Sequence, residues 1–146
     1  KLPKLLAIAL LFTMTGLYAE GQCEGLTKLK EARGQSDKDF FSSLITWWTA
    51  DKVDCGSVSS VVAKVVHHNQ TSGKRLEKEK PFDPKEAEAN LSTALADPAI
   101  QARFNKLSQA VTDENGRLFL EAAILDEEGY YPARELRIRQ LLEKMK

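Results

Sequence analysis

Val58, Val61, Val62, Val65 and Val66 set the strongest constraint on what this chain can fold into. Valine favours strands by propensity, but the adjacent pairs Val61-Val62 and Val65-Val66 break the alternation a half-buried strand needs. At about 100° per residue the five share one side of a helix. The spacing therefore predicts a helix that stops near Asn69 and Gly73. Upstream, Phe40, Phe41, Leu44, Ile45, Trp47 and Trp48 share a face behind a Ser36 N-cap, with Asp37 and Asp39 suited to the helix dipole. Leu26, Leu29 and Ala32 suggest a shorter helix before that, ending at Gly34.

Downstream, Asp83-Pro84 and Asp97-Pro98 each put an N-cap acceptor before a proline at the first helical position. The first start leads into Ala87, Leu91, Ala94 and Leu95, the second into Ile100, Phe104, Leu107 and Val111. Asp113 is placed to cap the next helix, on which Leu118 to Leu125 are apolar almost all round. Such a helix is buried centrally. Gly129 ends it, and Pro132 starts the last helix, where Tyr130, Tyr131, Ile138, Leu141, Leu142 and Met145 share one side. The expected fold is all-α: a compact bundle of six or seven short helices with one disulfide, preceded by a signal peptide. The helix near residues 117–127 is expected at its centre.

The signal peptide is read from the first 19 residues. Lys1 and Lys4 precede an apolar run from Leu5 to Phe12 that weakens toward Leu17. As a helix this run is roughly 20 Å long, short of the bilayer's hydrocarbon core of about 30 Å. A basic start, a short apolar stretch and a small residue at the end describe a secretory signal, with cleavage expected after Ala19. Residues before Cys23 do not form a lipoprotein cleavage pattern. The expectation is a periplasmic or secreted protein with no transmembrane span after cleavage, and one helical domain over residues 20–146. A mixed-charge stretch containing Gly73 and Pro81, near residues 71–82, reads as a linker.

The chain has 21 Lys and Arg against 21 Asp and Glu, a balance that argues against general nucleic-acid binding. Cys23 and Cys55 are the two cysteines, and in an oxidising compartment they are expected to pair. Such a closure stabilises by about 3–4 kcal/mol in the chain-entropy model.

Most catalytic motifs lack their parts. His67 and His68 are the only histidines; side by side on a helix they point about 100° apart, so they do not easily share a metal ion. No HExxH, CxxC, phosphate loop or G-x-S-x-G elbow is present, and no cofactor or metal is expected. Asn69-Gln70-Thr71 and Asn90-Leu91-Ser92 fit the N-glycosylation pattern. Glu121 lies on the otherwise apolar helix, in a seam with Glu114, Arg117 and Glu128. It is spaced to pair with Arg117 at i, i+4, or, if its pKa is raised by burial, to act as a general acid. Leu118, Ala122, Leu125, Gly129 and Tyr131 resemble one tetratricopeptide-type helical hairpin over about a quarter of the chain. No second copy follows, and the resemblance assigns no family.

The candidate binding residues are Tyr130, Tyr131, Arg134 and Trp48. Tyr and Arg are enriched in interface hot spots, and Arg134 projects among apolar neighbours where Glu121, Asp126 or Glu128 is needed as its partner. Trp47 and Trp48 both suit the core, Trp48 being the one placed to border a groove. The expected function is an exported, non-enzymatic interaction module: an adaptor, a secretion or assembly accessory, an inhibitor or a periplasmic chaperone, with another exported or envelope protein as partner. The alternatives are a small-ligand, haem or metal carrier with a pocket at Trp48, Phe104, Phe119 and His68, and a carboxylate-dependent hydrolase at Glu121.

Overall fold

The computed structural model describes residues 50–145. Among these residues it contains five α-helices and no strand: α1 (Cys55–Gln70), α2 (Pro84–Leu95), α3 (Pro98–Ala110), α4 (Glu114–Glu127) and α5 (Tyr131–Lys144). The all-helical expectation holds. The count of six or seven is not reached among the described residues, because the two helices expected around 26–34 and 36–48 lie outside them. The signal segment 1–19, Cys23 and Trp48 lie outside them too. No helix among the described residues is long and apolar enough to cross a membrane.

The helix starts follow from local chemistry. Asp83 accepts from the backbone N–H groups of Lys85 and Glu86, Asp97 from Ala99, and Asp113 from Gly116. Each cap satisfies donors that have no partner within the helix. Asp54 does the same for α1, accepting from Gly56 and Ser57. The valines of α1 resolve the conflict between propensity and spacing. Val58, Val61, Val62 and Val65 are buried, and burying such a side chain stabilises by about 1.5–3 kcal/mol. The helix-propensity penalty of valine is below about 0.7 kcal/mol, so burial wins.

Helix α4 occupies the centre, packed against α1, α3 and α5. Every residue from Leu118 to Leu125 is buried, and Phe119 is the largest fully buried side chain. Helix α5 runs back against α4 and also packs on α2 and α1. The α4–α5 turn is closed by Gly129, whose φ of 86° lies in the left-handed region that suits glycine. The Tyr130 N–H then reaches back to the Leu125 carbonyl at 2.8 Å.

The connection from α1 to α2 has no helix. It leaves α1 through Ser72 and Gly73, both at positive φ (58° and 78°), and continues irregularly to the Asp83 cap. A Cβ on Gly73 would stand 3.1 Å from the His68 ring, so the turn needs glycine for space as well as for conformation. This connection lies beside α5 and forms one wall of a surface groove.

Candidate functional site

Helix α5 carries the candidate surface. Tyr131, Arg134, Glu135, Ile138, Arg139 and Leu142 recur every three or four residues and so follow one side of the helix. At its first turn Tyr131 is the most exposed large hydrophobic among the described residues, at 53%. The Arg134 guanidinium carbon lies 4.8 Å from the centre of the Tyr131 ring, within cation–π range. Arg134 is anchored from behind. Its Nη1 donates to Asp126 Oδ1, and its Nη2 to Glu135 Oε1 at 3.2 Å. Asp126 Oδ1 also accepts from the Ser60 hydroxyl of α1 at 3.1 Å. The Arg134 Nε is buried and has no hydrogen-bond partner among the described residues.

The structure thus brings Tyr131 and Arg134 together, and Asp126 is the partner Arg134 takes from the three carboxylates open to it. Tyr130 plays a different part: it stands at the N-cap position of α5 and packs, partly buried, against the core.

Further along α5 the same side becomes one wall of a groove of about 520 Å³. The C-terminal part of α1 supplies Lys64, His67 and His68, and the α1–α2 connection supplies the opposite rim from Thr71 to Phe82. His67 Nε2 meets Glu79 Oε1 at 2.9 Å, and Glu79 Oε1 also accepts from the Leu76 N–H at 3.0 Å. The His67 hydrogen bond, followed by the Leu76 amide, holds the Glu79 carboxyl below its ordinary pKa. Arg139 lies over the Phe82 ring, 4.2 Å from its centre. Lys64 pairs with Glu135 at 3.2 Å.

Glu121 is buried at 8% exposure, and its partner is not the one expected from helix spacing. Arg137 of α5 places Nε 2.8 Å from Glu121 Oε1. Arg117 instead directs Nη1 toward the Val111 carbonyl. Burial raises the Glu121 pKa, and the charges of Arg137 and Arg117 offset part of that rise. Of the residues considered for a carrier pocket, Phe104 and Phe119 are in the core, His68 lines the groove, and Trp48 lies outside the described residues. Among the described residues no group of His, Cys, Asp and Glu has the arrangement of a metal site.

One cluster escaped sequence reasoning. Arg103 of α3 reaches Asp51 Oδ2 at 2.6 Å, Glu127 Oε1 at 2.7 Å and Glu128 Oε2 at 3.0 Å. Burial works against its charge, but the Asp51 and Glu127 carboxylates outweigh burial and hold its pKa above the ordinary arginine value. Glu127 also accepts from the Asp54 N–H at 2.9 Å, which ties the start of α1 to the end of α4. The acidic run Asp126-Glu127-Glu128 was the available signal, since three consecutive carboxylates closing a helix need cations from elsewhere.

No protein-family model, curated protein or solved structure matches this chain.

Proposed function

We propose that this protein is an exported, non-enzymatic helical interaction module that meets another exported or envelope protein on the exposed side of α5. The observation that carries this reading is the Tyr131–Arg134 pair. Tyr131 is 53% exposed, and its cationic neighbour is held in place by Asp126. An aromatic ring presented on a braced arginine loses little freedom on binding, which is what a hot spot requires. Adaptor, assembly accessory, inhibitor and periplasmic chaperone all fit such a surface. Export rests on the basic and apolar residues 1–19, and the Cys23–Cys55 disulfide is the covalent tie that an oxidising compartment allows. Cys55 opens α1, so a bond from Cys23 would be made at the start of that helix.

The test is native mass spectrometry of the protein isolated from its own compartment, beside the Tyr131→Ala variant. The expected result is an adduct of protein mass on the native chain that is reduced at least tenfold in the variant, with unchanged circular dichroism. Equal capture by both would remove Tyr131 from the interface. N-terminal sequencing of the same sample is expected to start at Glu20, and titration of the unreduced, denatured chain is expected to find no free thiol.

A further inference from the structure

The groove walled by α5 from Glu135 to Glu143 is lined by more cations than carboxylates. Lys64, Lys74, Arg75, Lys80 and Arg139 stand against Glu79, Glu135 and Glu143, with His67 and His68 between them. Part of this charge is compensated inside the groove, by the Lys64–Glu135 and His67–Glu79 pairs. Lys80 pairs loosely with Glu86 at 3.9 Å. Among the described residues Lys74 and Arg139 have no carboxylate partner, and Arg139 lies over the Phe82 ring at 4.2 Å. Between the charged rims the groove presents apolar surface from Pro81, Phe82 and Leu142, with Ile138 buried beneath them. Its volume of about 520 Å³ is in the ~300–1,000 Å³ range of ligand pockets.

We infer that this groove binds an acidic peptide segment that carries an apolar side chain. The inference rests on the interaction-module reading and names the chemistry of its partner. Unpaired cations on opposite rims, Lys74 on the connection and Arg139 on α5, would each take a carboxylate, while the apolar strip between them takes the side chain. The shape favours a peptide over a bilayer. The cations line a concavity rather than a flat apolar face. The groove continues along the side of α5 that begins at Tyr131, so a bound segment leads toward the Tyr131–Arg134 pair.

The test uses the full mature chain and a fluorescein-labelled peptide of nine residues, alternating Glu and Asp around a central Phe, read by fluorescence anisotropy. Saturable binding is expected, weakening as salt rises. The Lys74→Glu/Arg139→Glu double variant should bind at least tenfold more weakly with its circular dichroism unchanged. The milder Lys74→Ala variant, at an exposed site, keeps the test valid if the double variant misfolds, and should bind about threefold more weakly. Replacing the central Phe by Ser should also weaken binding. Absence of saturable binding, or equal binding by wild type and variants, overturns the inference. So does capture by phosphatidylglycerol vesicles that the peptide does not compete away. None of these failures touches the module reading, which stands or falls on the loss of partner mass in Tyr131→Ala.

Discussion

The Arg103 cluster and the α5 groove are both built from charged side chains, yet their charges are arranged in opposite ways. Around Arg103 one guanidinium serves Asp51, Glu127 and Glu128, and the cluster joins three elements that are far apart in sequence. Arg103 is 21% exposed and Asp51 15%, so solvent screens them little. In the groove the cations are in excess, and Lys80 is 83% exposed. Exposed pairs of this kind contribute about 0–1 kcal/mol. The difference separates charge that holds the fold from charge that is left available. In the cluster the one guanidinium is fully engaged by carboxylates and has nothing left for an anion; a groove with surplus cations contributes little to stability and can take one.

The largest expected effect comes from Arg103→Met. It leaves three carboxylates close together without their cation, and urea denaturation at neutral pH should show a loss of about 2–3 kcal/mol. A loss below about 0.5 kcal/mol would erase the contrast between the two regions.

The Glu121–Arg137 pair carries the comparison into the core. Burial raises the folded-state pKa of Glu121. The folded protein then holds this proton more tightly than the unfolded chain, so its contribution is full below the unfolded carboxyl pKa and is lost as pH rises through the folded value. Wild type should therefore lose stability relative to Glu121→Gln between pH 4 and pH 7, as measured by denaturation at both pH values. A constant difference would mean that Arg137 fully compensates the burial.

Lys74→Ala should change stability by less than about 0.5 kcal/mol, as an exposed, unpaired side chain. Arg139→Ala should cost about 0.5–1 kcal/mol through the Phe82 ring. Thermal melts of the two check this, and a loss above 2 kcal/mol in either would turn the groove into a structural feature. The smallest effect is local. Because Glu79 titrates below its ordinary range, its bonds to His67 and Leu76 persist above the unfolded carboxyl pKa and are released as pH falls through the lowered one. The Leu76 amide shift followed by NMR should report that midpoint.

The helices were legible because their signals are local. Asp83-Pro84, Asp97-Pro98 and Asp113 act within three residues of themselves, and the valine spacing needs only its own helix to be read. The buried helix α4 was legible for the same reason, from eight consecutive core positions. Ion pairs were less so. Glu121 has Arg117 one turn away, but the fold brings Arg137 closer, and no local rule anticipates a partner on another helix. For Arg134 the spacing narrowed the field to three carboxylates, and packing chose Asp126. The groove was hidden because its rim reads in sequence as a solvated charge run; only the docking of Phe82 beneath Arg139 shows that this run lies against α5. The module, its compartment and its partner rest on readings from the first 49 residues and from α5 together.

Helix α5 has no side-chain cap of its own. The Ala133 N–H in its first turn donates instead to Asn90 Oδ1 of α2, at 3.0 Å and 43 positions away in sequence. The first turn of α5 therefore takes one of its backbone partners from a helix in the other half of the described chain. Its opening is a collective event, and hydrogen exchange at Ala133 would follow separation of α2 from α5 rather than fraying of one end. The same asparagine heads an Asn-Leu-Ser triplet, so in a glycosylating host a sugar on its Nδ2 would sit at the joint between α2 and the start of α5.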